Sequence, residues 1–130
     1  MPITYRKDLE RNYAHVEWIG DITRSILVAH TVAFFSDPFV LSSGRNLTDV
    51  RRAILKITGA ELHDIILENV LPQLKGRRRR TAIVVQGNDQ FGTARQYALM
   101  AEDYSTDAIF YDCAPALVWL LADTPVTKPR

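Results

Sequence analysis

Residues 76–95 read Gly-Arg-Arg-Arg-Arg, then Thr-Ala-Ile-Val-Val-Gln, then Gly-Asn-Asp-Gln and Phe-Gly-Thr-Ala-Arg. The unbroken apolar run after Thr81 is the pattern of a strand covered on both faces. The polar turn behind it opens a helix that carries Phe91 and Arg95 one turn apart on the same side. Strand, turn and helix in that order form the half-unit of an α/β sheet, whose sites lie at strand ends. The arginines enter the strand at one end and the 87–95 turn leaves it at the other. A strand of about six residues holds them roughly 20 Å apart. Successive side chains on a strand also point to opposite faces, so four adjacent arginines cannot all serve one ligand.

The rest of the chain fits the same frame. Ile3 and Tyr5 alternate with polar residues, and residues 13–19 alternate again after a polar turn, which predicts a β-hairpin. Ile22, Ile26, Ala29 and Ala33 recur at helical spacing, with Asp21 or Thr23 as N-cap, and Asp37-Pro38 stops that helix. Residues 40–46 read as a loop bearing serine and glycine, and 47–54 as a strand. Thr58 with Glu61 is a capping-box pattern for the next helix, whose last turn Pro72 kinks or shortens. Lys75-Gly76 ends it. After the 81–86 strand come a helix with Phe91, Ala94, Ala98 and Ala101 inward and a short strand at 108–111. A last helix follows, with Pro115 in its first turn. The order is β-β-α-β-α-β-α-β-α: a mixed sheet of about five strands with four helices, largely parallel by the right-handed crossover rule. At 130 residues one domain is expected, over residues 1–123, with 124–130 as a flexible tail.

Charge and cysteine content exclude several function classes. The net charge of +1 lacks the basic excess of a nucleic-acid binder. Cys113 is the single cysteine, so neither an internal disulfide nor a thiolate zinc site is available. His15, His30 and His63 show no helical ligand spacing, and no metal or cofactor is expected. The start Met-Pro-Ile lacks signal-peptide regions, and the most apolar stretch, 26–35, is broken by His30 and Thr31 and too short to span a bilayer. The expectation is a cytoplasmic protein without stable membrane insertion. No phosphate-binding or nucleophile-elbow motif is present.

Two local sequences, Leu47-Thr48-Asp49-Val50 and Phe91-Gly92-Thr93-Ala94-Arg95, carry a family likeness. With the element order, they resemble the STAS fold, named for sulfate transporters and anti-sigma-factor antagonists. More closely, they resemble the SpoIIAA-like group of small stand-alone bacterial domains. The first looks like that group's aspartate-bearing strand, and the second like the Phe-Gly-x-Ala-Arg that opens its third helix. In STAS regulators a phosphorylatable serine begins the helix after the aspartate-bearing strand, within Asp-Ser-Ser-Gly. Counting from Asp49 puts Thr58-Gly59 there, though Ile57 replaces the aspartate and one serine is missing. The resemblance implies a phosphorylation site at Thr58; capping of the helix is the plainer use of the same hydroxyl.

The resulting expectation is a non-enzymatic regulatory or protein-interaction module that binds a partner or itself as a homodimer. Its surface would comprise Thr58, Gln86, Asn88, Phe91 and Arg95, with Asn88 as helix N-cap. A small apolar or anionic ligand carrier is the alternative. Phe34, Phe35 and Phe39 would line its pocket, and Arg95 or an arginine from 77–80 would read an acidic head. Plainer readings stand beside these. The arginine run would be a solvated loop, and Arg95 would pair with Asp112 or Asp49. Cys113 would be either a thiol of lowered pKa or a small cap residue. For catalysis only Asp49, His63, Arg95 and Cys113 offer themselves, and their spacing does not place them within reach of one another. A concave pocket joining the 34–39 segment to Arg95 would favour the carrier.

Overall fold

A computed structural model describes residues 2–122. The expected end of the domain at residue 123 and the tail at 124–130 lie outside them. The elements are β1 (Ile3–Asp8), β2 (Tyr13–Ile22), α1 (Arg24–Phe34), α2 (Pro38–Ser43) and β3 (Arg45–Leu55). There follow α3 (Gly59–Ile65), a π-helical turn (Ile66–Val70), α4 (Leu71–Leu74), β4 (Arg79–Val84), α5 (Asn88–Ala101), β5 (Ser105–Phe110) and α6 (Cys113–Leu120). The five strands lie in sequence order, β1-β2-β3-β4-β5. β1 and β2 form the antiparallel hairpin, and the other three pairings are parallel.

Where a loop was expected at residues 40–46, the chain forms α2 and the start of β3. The Asp37-Pro38 pair that stops α1 also starts α2. Asp37 accepts a hydrogen bond from the Phe39 N–H at 2.9 Å, and proline occupies the first turn, where a missing N–H costs nothing. Gly44 closes the helix in the left-handed region at φ +69°. A Cβ there would lie 2.9 Å from the Arg78 carbonyl oxygen. Gly44→Ala is therefore expected to destabilise the fold by about 2 kcal/mol or more. Gly87→Ala, at φ −146° with open space around it, should stay within about 0.5 kcal/mol of the parent. Urea midpoints of the two variants check this, and equal midpoints would refute it.

The Pro72 kink takes a specific form. Proline cannot donate to the carbonyl four residues back, and the helix widens to a π turn just before it. The Leu71 N–H accordingly reaches the Ile66 carbonyl. Gly76, at φ +75°, then turns the chain toward β4.

β4 is buried along its whole length, as a central strand must be. Its alternate residues separate two cores. Ile83, with Val85 just past the strand end, packs into the larger one beside Val16, Val50, Leu27, Phe34, Ile65 and Ala94 under α1, α3 and α5. Ala82 and Val84 join Tyr13, Leu47, Ala116 and Leu120 beneath α6 on the opposite face.

The same alternation divides the arginine run, of which only Arg77 and Arg78 lie in the loop expected. Arg79 and Arg80 are the first residues of β4 and are both buried. Arg80 turns to the α6 face. It stacks 3.8 Å above the Trp119 ring and donates to the Trp119 carbonyl at 2.9 Å. Arg79 turns the other way, into the larger core.

Candidate functional site

The larger core is not completely filled. Between the sheet and the helices above it lies a cavity of about 150 Å³, partly open to solvent. Its floor comes from β2, β3 and β4 through residues such as Val16, Thr48 and Ile83. α1 supplies Leu27, His30, Thr31 and Phe34, with Phe35 just beyond its end. α3 and the π turn supply Ile65 and Ile66, and α5 supplies Ala94 and Tyr97. Helical spacing explains the α1 face, since 27, 30, 31 and 34 fall on one stripe. A smaller pocket of about 40 Å³ shares Trp18, Leu27 and Leu62 with it and reaches Thr58 and Gly59 at the start of α3.

Arg79 is the charged member of this apolar wall, at 3% exposure. Its Nη1 donates to the Val40 carbonyl at 2.8 Å, which ties α2 to the sheet. Its Nη2 donates to Asn46 Oδ1 at 2.9 Å. The guanidinium carbon lies 5.9 Å and 5.5 Å from the ring centres of Phe34 and Phe35, within cation–π range. Burial draws its pKa down to about 10, so the group stays cationic at neutral pH. None of the ion pairs among the described residues includes Arg79, although Asp107 attracts it electrostatically.

His30 lies between aromatic rings, 6.2 Å from Tyr5 and 5.2 Å from Phe34. Burial lowers its pKa to about 4, so it is neutral at physiological pH. Burial likewise pushes the Tyr97 phenol well above its ordinary range. The indole N–H of Trp18 is buried without a hydrogen-bond partner.

On the other face the structure brings together two residues that spacing did not. Asp49 of β3 accepts from Cys113 Sγ at 3.5 Å, and Arg51 grips the same carboxylate at 2.9 Å and 3.0 Å. Burial would raise the Asp49 pKa, but the Arg51 hydrogen bonds outweigh it and hold the carboxyl below its usual value. The thiol is pushed up, first by burial and then by Asp49, so the lowered-pKa reading of Cys113 is corrected. His63 is exposed, next to Asp64 at 3.5 Å, and does not join them. No group of three or more His, Cys, Asp or Glu among the described residues could hold a metal.

The other expected site residues are spread out. Thr58 makes both capping-box bonds: its Oγ1 accepts from the Glu61 N–H, and its own N–H donates to Glu61 Oε1. Gly87, not Asn88, is the N-cap of α5, and the Gln90 side chain accepts from the Gln86 N–H at 2.8 Å. Asn88 stands exposed in the first turn. Phe91 stacks on Tyr111 at 6.3 Å. Arg95 is exposed, and no ion pair among the described residues links it to Asp49 or Asp112. Of the two arginine alternatives for the pocket, it is lined by one from 77–80, Arg79, and not by Arg95, and Phe39 is not part of its lining.

No family model and no curated protein matches the chain. Among solved structures, it is similar to an uncharacterised DUF3478-family protein with a SpoIIAA-like fold from Shewanella loihica PV-4. Identity is 21%, 91% of each chain is covered, and the TM-score is 0.56. The fold is therefore SpoIIAA-like, as the element order with the two short motifs implied. No helix among the described residues is long and apolar enough to cross a membrane.

Proposed function

We propose that this chain is a non-enzymatic small-ligand carrier or sensor, with the ligand held between the helices and the sheet. The observation that supports it most is the cavity of about 150 Å³ beside a buried arginine. Ordinary cores leave few spaces larger than a water, whereas a partly open cavity of this size accepts a benzene-sized molecule. Its walls come from α1, α3, α5 and the sheet, so a guest contacts several elements at once and can bias their packing. That coupling suits a sensor as well as a carrier.

Native mass spectrometry of protein purified from cells, paired with toluene titration of the purified protein, tests this reading. A co-purifying small molecule is expected. Toluene at ten times its Kd should add about 1.4 kcal/mol of stability, seen as a rise in melting temperature. A protein that carries nothing out of the cell and melts identically with and without toluene would not be a carrier of this kind.

A further inference from the structure

We propose that the ligand of this cavity is a small carboxylate: an apolar body about the size of a benzene ring, with its acid group taken by Arg79. The proposal rests on the carrier reading and adds the ligand's charge and class.

Burying a cation is costly unless a partner offsets the lost hydration. The two hydrogen bonds of Arg79 go to a backbone carbonyl and a side-chain amide, both neutral. Those bonds orient the guanidinium without cancelling its charge. The charged groups that act on it are Arg77, which repels, and Asp107, which attracts. Neighbouring His30 is neutral and cannot substitute for an anion.

A guanidinium is planar and presents its donors as a fork that matches a carboxylate. Val40 and Asn46 each engage one terminal nitrogen, and each such nitrogen carries two N–H groups. Donors therefore remain for a guest. Phe34 and Phe35 beside the guanidinium, with Ile65 and Ile83 further along the lining, offer an apolar surface to the body of the acid. One cation in a lining whose other side chains are apolar or neutral polar suits a monoanion. The volume of about 150 Å³ limits the body to roughly one ring or a short branched chain.

Benzoate, benzyl alcohol and toluene share one ring and differ in the group offered to Arg79. Titration calorimetry on the wild-type chain should find benzoate at least tenfold tighter than benzyl alcohol. Arg79→Met should abolish that preference. Asn46→Asp tests the same point without removing the arginine, because it places a carboxylate where Oδ1 already meets the guanidinium at 2.9 Å. This internal acid should cut the ratio of benzoate to toluene affinity at least tenfold, and it decides the matter if Arg79→Met does not fold. Equal wild-type affinities for benzoate and benzyl alcohol would overturn the proposal, as would an unchanged ratio in Asn46→Asp. Toluene binding would survive either result and leave the carrier reading intact. Binding of none of the three would remove both.

Discussion

Between pH 7 and pH 4 the protein is expected to lose on the order of 3 kcal/mol of folding stability through His30 alone. An unfolded histidine takes up its proton near pH 6.5, whereas in the native state burial holds the pKa at about 4. As pH falls through this interval, the unfolded chain binds a proton that the folded chain refuses. Each unit of the gap favours unfolding by about 1.36 kcal/mol. The stabilisation is complete above pH 6.5, declines as pH falls, and has gone by about pH 4. His15 shifts in the same direction, chiefly through burial, and adds to the loss in the wild-type chain. Asp8, Asp37 and Asp49 have lowered values too, but their contributions disappear only at more acidic pH, below the ordinary carboxyl range. The clean measurement is therefore a difference. Urea unfolding of wild type and His30→Phe, followed from pH 7 to pH 4, should show the wild type losing about 3 kcal/mol more than the variant. Parallel stability curves would mean that the imidazole takes its proton without breaking its place between Tyr5 and Phe34.

Residue by residue, legibility in the sequence follows how local the responsible physics is. β4 could be read because a covered strand needs an apolar run, and Thr81 to Val85 supplies one that leads straight into a turn and helix. The Thr58 capping box could be read because both hydrogen bonds close within four residues. α2 was hidden by its composition. Ser42, Ser43 and Gly44 look like a loop, yet Asp37-Pro38 and Gly44 are the start and stop of a helix of only six residues. Arg79 was hidden by its neighbours. Counted as four charges, the run reads as solvated surface, and only strand alternation shows that one member must enter each core. The cavity was half legible. The cluster at 34–35 and the idea of an arginine from 77–80 were available, but the empty volume depends on how α1, α3 and α5 meet over the sheet. Those helices come from segments far apart in sequence, and no spacing rule reports the gap between them. Arg95 stands out in the sequence through its place in a family-like motif, and the fold leaves it exposed.

The dependence of that gap on side chains from distant helices can be measured at Ile65, the last residue of α3, which is fully buried against the cavity. Ile65→Ala is expected to cost about 3–5 kcal/mol, in the upper part of the range for such truncations. The atoms removed already border a void, so the enlarged space has little to collapse onto. The same enlargement should alter what the protein binds. p-Xylene, longer than toluene by a methyl group, should stabilise Ile65→Ala more than it stabilises wild type, recovering about 1.4 kcal/mol at ten times its Kd. Leu47→Ala provides the comparison. Leu47 is equally buried, but beneath α6 on the opposite face of the sheet, and its truncation should cost about 2–5 kcal/mol. It opens no space into the cavity, so p-xylene should act on Leu47→Ala as it acts on wild type. Equal rescue of both variants would mean that the guest does not occupy the space beside Ile65. Failure to rescue Ile65→Ala, with toluene still bound by wild type, would mean that the helices close over the vacated volume rather than holding it open.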